Sequence, residues 1–292
     1  MSITWEKIDM NTKRFRHIYF ELTNICDRHC SFCPPVSRPR RFMPLAEAQN
    51  FLRQAAEFTP AVYWHLQGES LLHPEFELIT AFGRKLGLEL KLTTNGSHLA
   101  EFEDYLLGGN FSQINFSIQS LNEVESAERE RVWLDIINFT RRALREQPLL
   151  YINFRWWQNT PPDFTLPGAA LGIPPEQWLP GAGRRSRRIA GRLYATFDRE
   201  FNWPGSGAAE RPHGETGSCR GLLEHIGILC DGRVVPCCLD AEGNLSLGDL
   251  HQTSLVEILS SDFACRIADG FRKGRRIMPQ CQNCSYASRF DK

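Results

Sequence analysis

Residues 16–22, Arg-His-Ile-Tyr-Phe-Glu-Leu, alternate along the chain and are rich in β-formers, which predicts a strand. From Met43 to Phe58 the apolar positions Leu45, Ala48, Phe51, Leu52 and Ala55 recur at helical spacing instead. This exchange of periods continues. Ala61–Gln67 predicts a second strand and Pro74–Leu86 a helix opened by proline. Leu88–Thr94 predicts a third strand that stops at the turn Asn95-Gly96. A short helix around His98–Leu107 precedes a fourth strand, Gln113–Ile118, and a long helix over Glu123–Glu146 precedes a fifth, Leu149–Trp156. Gly191–Phe197 reads as a sixth. Strands and helices taking turns over short connections predict an α/β fold with a parallel sheet. Six such units fall short of the eight that close a barrel, so the expectation is an open, partial (βα)6 TIM-like barrel.

The pattern changes twice beyond the fifth strand. Gln158–Gly183 is rich in proline and glycine and reads as an irregular connector. After Asn202-Trp-Pro-Gly-Ser-Gly, Ile226–Asp240 reads as a hairpin turned at Asp231-Gly232, and Ser254–Phe271 as a helix. The expected organisation is an N-terminal extension over 1–14, a barrel over 15–202, a linker over 203–216 and a small α+β domain over 217–292.

Composition narrows the function classes. The 34 Lys+Arg balance the 34 Asp+Glu, so no global field draws the chain to nucleic acid or to an acidic membrane surface. No apolar run reaches the roughly 20 residues of a membrane span, and the N-terminus lacks a signal peptide's apolar stretch. Two basic runs stand out: Arg38-Pro-Arg-Arg41, which would face an anionic group near the cysteine loop, and Arg184-Arg185-Ser186-Arg187-Arg188, which reads as a solvated charged face. The ten cysteines cluster at metal-ligand spacings, which favours iron–sulfur ligation in a reducing cytoplasm over disulfides.

The first strand runs into Glu21-Leu-Thr-Asn-Ile-Cys-Asp-Arg-His-Cys-Ser-Phe-Cys-Pro34. Three thiolates at Cys26, Cys30 and Cys33 hold three corners of a cubane cluster and leave one iron open to a cofactor. Zinc is the competing reading, with His29 as a fourth ligand inside the same loop.

The run C-x3-C-x2-C followed by proline resembles the signature of the radical S-adenosylmethionine (radical SAM) superfamily, and Phe32 matches the aromatic that packs near the adenine in that family. Later strand ends carry the resemblance on. Gln67-Gly68-Glu69-Ser70 is similar to the family's Gly-Gly-Glu-Pro segment, with Gln67 for the first glycine and Ser70 for proline, so Gly68 and Glu69 are the matching positions. Thr94-Asn95-Gly96 is similar to its Thr-Asn-Gly stretch, and Ser117 of Ser117-Ile-Gln119 to the serine that reaches the ribose, with Gln119 where aspartate is common. Arg155, near the end of the fifth strand, is a candidate to fix the SAM carboxylate or an anionic substrate group; a surface arginine stacked on a neighbouring tryptophan is the plain alternative.

Cys219, Gly232 with Cys237 five residues on, and Cys281-x2-Cys284 resemble the Twitch module, the short form of the SPASM domain. That resemblance implies an auxiliary 4Fe–4S cluster on Cys219, Cys237, Cys281 and Cys284. Cys238 rivals Cys237, Cys230 reads as buried or free, Cys265 as a core thiol, and zinc is again the alternative metal. The chain ends eight residues after Cys284, so a second auxiliary cluster is not expected. Together the resemblances imply an enzyme with two 4Fe–4S clusters that cleaves SAM reductively and takes a hydrogen atom from a substrate. The substrate would be a peptide or a small molecule. About fifteen residues precede the first strand, too few for the leader-recognition domain of many peptide-modifying relatives. A flavodoxin or ferredoxin would supply the electron. An activating enzyme for a partner protein, and a non-catalytic zinc or iron–sulfur protein, are the other classes.

Overall fold

In a computed structural model the chain is described over residues 14–157, 162–201, 203–204 and 214–290. Most of the expected N-terminal extension, part of the expected connector over 158–183 and most of the expected linker lie outside these residues.

The barrel strands are β1 (His17–Phe20), β2 (Ala61–Trp64), β3 (Glu89–Thr94), β4 (Gln113–Ser117), β5 (Tyr151–Trp156) and, after the edge strand β6 (Ser186–Ala190), β7 (Leu193–Phe197). β1 to β5 and then β7 lie side by side in sequence order, all parallel. The crossovers run through α1 (Leu45–Phe58), α2 (Phe76–Lys85), α3 (Leu99–Tyr105), α4 (Ser126–Glu146) and α5 (Thr165–Leu171). This is the expected partial barrel, its sixth unit being β7.

Strand alternation sorts the side chains. Ile18, Phe20, Val62, Trp64, Leu90, Leu92, Ile114, Phe116, Ile152 and Phe154 are fully buried. Helices cover that face: Ala48, Phe51, Leu52 and Ala55 of α1, and Val132, Ile136 and Phe139 of α4, belong to the same core. The opposite face is polar. Gln113 donates to Asn115 Oδ1 at 2.8 Å, Asn153 to the same oxygen at 3.2 Å, and Thr196 to Asn153 Oδ1 at 2.8 Å. A closed barrel fills its interior with aliphatic layers; here the concave face is a hydrogen-bonded polar surface.

Several parts differ from the sequence expectations. β6 pairs antiparallel with β7 and closes one edge of the sheet with exposed Arg187 and Arg188. The second basic run is therefore a charged edge strand, which discourages pairing with another chain. The connector contains α5, where Pro167 falls within the first turn and needs no hydrogen-bonded N–H. Trp178 is fully buried, stacked on Phe164 at 4.9 Å. The single helix expected over Ser254–Phe271 is two, α6 (Leu255–Ser260) and α7 (Asp262–Arg272), because extended Ser261 breaks the run and caps α7 by accepting the Ala264 N–H at 3.2 Å.

The hairpin turns at Gly232, φ +84°, between β8 (His225–Ile228) and β9 (Arg233–Val235), and β10 (Gly248–Asp249) adds to β9. β8 also pairs in parallel with β1, from His17↔His225 to Phe20↔Ile228. The C-terminal residues thus extend the barrel's own sheet. Arg38 ties the two together. It bonds Glu21 at 2.7 and 3.0 Å and the Ala241 carbonyl at 2.8 Å, while Glu21 also accepts the Cys230 N–H at 2.8 Å. Arg38 is thereby a paired, buried cation, and it and Arg40 also line the cavity at the cysteine loop; Arg41, in the same run, pairs with Glu47 at 2.9 Å.

Candidate active site between two thiol-lined cavities

The C-terminal ends of β1 to β4 surround a cavity of about 540 Å³. Cys26, Cys30 and Cys33 line it together with Phe32, Gly68, Glu69, Thr94, Asn95 and Ser117, four stretches of chain brought to one place by the parallel sheet. Cys30 and Cys33 share a hydrogen bond that holds the Cys30 thiol below its ordinary pKa and Cys33 above it. Burial pushes the Cys26 thiol up to about 12, against the pull of the Arg28 N–H, which points at its sulfur from 3.5 Å.

Three local features build this end of the site. Gly68 has φ +73°, and a Cβ there would stand 2.3 Å from the Thr23 carbonyl oxygen, so only glycine lets this turn press on the cysteine loop. Leu66, just before it, is held at φ +126°, a strained conformation for a branched side chain. The Glu69 carboxylate is buried and accepts the N–H groups of Leu71 at 3.1 Å and Asn95 at 2.7 Å, binding the β2 loop to the β3 loop. Asn95 passes the connection on: its amide donates to Asp27 at 2.9 Å, 3.8 Å from Cys26 Sγ, and its oxygen accepts from Ser97. Ser120 lines the cavity beside Ser117. Gln119 is turned into the interior, its Oε1 without a hydrogen bond.

A second cavity, of about 210 Å³, lies toward the C-terminal strands. Cys219, Cys237, Cys238, Cys281 and Cys284 line it, Cys281 from the four-residue helix α8 (Pro279–Gln282). Cys237 is raised by burial and by all of the other four thiols, whereas Cys238, raised to about 11 by burial, is held down by Arg155 and the Tyr19 hydroxyl. Both line the second cavity, Cys237 among the other four thiols and Cys238 beside Arg155 and Tyr19. Cys230 is fully buried beside Arg38, and half-buried Cys265 on α7 has its sulfur 3.9 Å from the Leu259 carbonyl; neither lines the second cavity.

Both sets suit iron–sulfur clusters. Among the described residues no three His, Cys, Asp or Glu side chains are close enough to hold a single ion; a cubane spaces its thiolates more widely than one ion does, around a cavity. Backbone N–H groups point at sulfur in each set, Arg28 at Cys26 and Gly221 at Cys219 from 3.4 Å, as expected around ligating thiolates. Buried Arg276, which the sequence reading did not single out, donates to the Thr216 and Ala287 carbonyls and partly opposes the burial that raises Cys219, Cys281 and Cys284, a fixed cation beside a site that would carry net negative charge.

Residues 20–149 match the family model described as the radical SAM superfamily, and residues 219–285 match that of the SPASM iron-sulfur cluster-binding domain. Residues 20–149 belong to the radical SAM superfamily and residues 219–285 to the SPASM cluster-binding domain. The first match implies a SAM-binding 4Fe–4S cluster and the second auxiliary iron–sulfur ligation. Curated relatives of the radical SAM part include a GTP 3′,8-cyclase of Erythrobacter litoralis, 30% identical over 131 residues, and one of Psychromonas ingrahamii, 24% identical over 128 residues. These matches cover 40% and 42% of this chain and 38% of each relative, well under half of either protein. Over the whole fold, the radical SAM chain resembles BtrN, crystallised with AdoMet and 2-DOIA, at a TM-score of 0.60 and 14% identity, covering 93% of each chain. It resembles SuiB of Streptococcus suis, crystallised with the precursor peptide SuiA, at 0.59 and 14%, covering 93% of this chain and 70% of that one. No helix among the described residues of this radical SAM enzyme is long and apolar enough to cross a membrane.

Proposed function

We propose that this enzyme binds SAM in the cavity at Cys26, Cys30 and Cys33 and oxidises a peptide or small molecule held in the barrel lumen, with Cys219, Cys237, Cys281 and Cys284 holding an auxiliary cluster. When bound, the first cluster and SAM supply the reductive cleavage that generates a 5′-deoxyadenosyl radical, and a four-cysteine second cluster supplies a one-electron acceptor without an open iron. The chain's residues position and enclose. Gly68 and Glu69 offer backbone at the cavity wall, Asn95 braces the cysteine loop, Ser117 offers a hydroxyl for a ribose, and Phe32 an aromatic face. Trp203 donates its indole N–H to the Phe32 carbonyl at 2.8 Å, which ties the residues before the C-terminal module to the cysteine loop.

One observation carries the reading. The two thiol sets line separate cavities whose walls meet, since Tyr19, on the second cavity's wall, stands 5.7 Å ring to ring from His65, on the first cavity's wall. A substrate between them would touch the radical source and the electron acceptor at once. BtrN with a small molecule and SuiB with a peptide, both of this fold, support either substrate size. A flavodoxin- or ferredoxin-class protein is the proposed electron donor.

The test is an anaerobic preparation assayed for iron, sulfide and SAM cleavage. About eight irons per chain are expected for two cubanes, with 5′-deoxyadenosine formed under reduction and lost in Cys26→Ala. Cys219→Ala should retain about four irons and SAM cleavage while losing product. A wild-type protein that carries both clusters and leaves SAM intact under reduction would falsify the proposal.

A further inference from the structure

The barrel holds a charge to which the described residues give no counter-ion. Arg155 stands near the end of β5, opposite Ser117 of β4 and Thr196 of β7. Its guanidinium lies over the Trp157 ring, 4.3 Å from the centroid. The groups that act on it are the hydroxyls of Tyr19, Tyr286 and Tyr63 and the thiol of Cys238, none of them an anion at neutral pH. Among the described residues it forms no salt bridge. Arg38, by contrast, is paired with Glu21, and Arg276 donates to two carbonyls. Burial is the main influence on the Arg155 charge and disfavours it. A guanidinium partly withdrawn from water gains from an anion that offsets that cost.

Resting on the reading of the lumen as the substrate site, we propose that Arg155 anchors an oxyanion of the substrate, a carboxylate or a phosphoryl group, midway between the two cavities. A guanidinium stacked by its face on an indole keeps its in-plane N–H groups for a two-oxygen partner. The hydroxyls of Tyr19, Tyr63 and Tyr286, which act on the guanidinium, add donors. The carboxylate of SAM is a poorer fit. Arg155 is not on the wall of the cysteine-loop cavity, which has Arg28 and Arg40 of its own, and three of its neighbours, Tyr19, Cys238 and Tyr286, line the other one. The substrate thus belongs to the class of small acids, phosphate esters, or peptides presenting an acidic side chain.

The experiment compares the cluster-loaded wild type with Arg155→Gln. Inorganic phosphate and acetate are titrated at constant ionic strength, reading the thermal unfolding midpoint, and SAM affinity and SAM cleavage are measured alongside. The wild type should gain stability saturably with at least one anion, and the variant should bind it about tenfold or more weakly, the loss expected of one charge-assisted bidentate contact. SAM affinity should be unchanged. Tighter acetate binding assigns a carboxylate, tighter phosphate binding a phosphoryl group. Equal anion binding in both proteins, or no saturable binding in the wild type, overturns the proposal. So does a variant that loses SAM affinity, which assigns Arg155 to SAM. Arg155-dependent anion binding in a wild type that does not cleave SAM would count against the radical reading and leave this site standing. Arg155→Met, which keeps the length of the stem, gives the same comparison if the glutamine variant does not fold.

Discussion

The Glu69 carboxylate accepts the backbone N–H of Asn95 at 2.7 Å, so the loop after β2 is locked to the loop after β3 by a side chain that water does not reach. Its other oxygen takes the Leu71 N–H. Glu69→Gln would turn an amide N–H against one of these donors and leave it unpaired. A cost of about 1–3 kcal/mol is expected, together with weaker SAM binding, since both loops wall the same cavity. Denaturant midpoints and equilibrium dialysis with SAM check this; a variant equal to the wild type in both would show that the carboxylate braces nothing.

Gly68→Ala should be more damaging than a methyl group suggests. The φ of +73° alone costs a non-glycine residue about 1–3 kcal/mol, and the new Cβ would press on the Thr23 and Ile25 carbonyls that lead into Cys26. Reduced iron content in the first site and loss of SAM cleavage are expected, with auxiliary iron retained. Normal SAM cleavage in the alanine variant would mean the turn is not where SAM binds.

Cys237 and Cys238 can be separated by counting iron. Cys237→Ala should drop the auxiliary cluster, to about four irons per chain, and Cys238→Ala should keep about eight. The reverse result would exchange the two assignments.

Glu21 and Arg38 form a buried pair that joins β1 to the residues around Cys230 and Ala241. Removing one partner, as in Glu21→Gln, should destabilise by about 3–5 kcal/mol because the other charge is left buried. The double change Glu21→Gln with Arg38→Met should recover part of that loss. Additive losses in a double-mutant cycle would deny the coupling.

Acid should weaken the fold through the lumen histidines. Burial lowers His17 to about 4 and His225 to about 3, and the two rings stack at 5.5 Å. A histidine depressed in the folded state stays neutral while the unfolded chain takes up its proton. Stability is therefore retained above about pH 6.5 and falls as pH drops toward the folded values. The slope is up to about 1.4 kcal/mol per pH unit for each histidine. His225→Phe should flatten the loss of the urea midpoint between pH 6.5 and 5; an unchanged slope would place the acid sensitivity elsewhere.

The order of the barrel strands was legible because period and chemistry agreed: each strand with a buried aliphatic face ended at a residue that now lines the first cavity, Glu69 after β2, Thr94 on β3, Ser117 on β4. The cysteines were legible from spacing. What escaped depends on partners distant in sequence. Nothing near Arg38 announces Glu21 as its counter-ion, and no local period says that His225–Ile228 will pair with His17–Phe20, some 208 residues earlier as in the Arg16–Glu224 contact. Arg276 looked like one more basic residue in Arg-Lys-Gly-Arg-Arg, and only the packing of residues 281–287 makes it a buried cation beside the thiols. The break at Ser261 did carry a local signal, a serine three residues before Ala264 in a Ser-Ser-Asp run, that helical periodicity masked.

The pairing of β8 with β1 has a consequence for how this protein can be taken apart. Without β8, the backbone of His17–Phe20 would become an open rim of unpaired N–H and C=O groups next to the cysteine loop. Open rims of this kind recruit other chains. A fragment cut after residue 204 would therefore be expected to aggregate even with its own cluster ligands intact. The C-terminal strands are a selvedge that keeps the sheet from fraying, and their cysteines are woven into it.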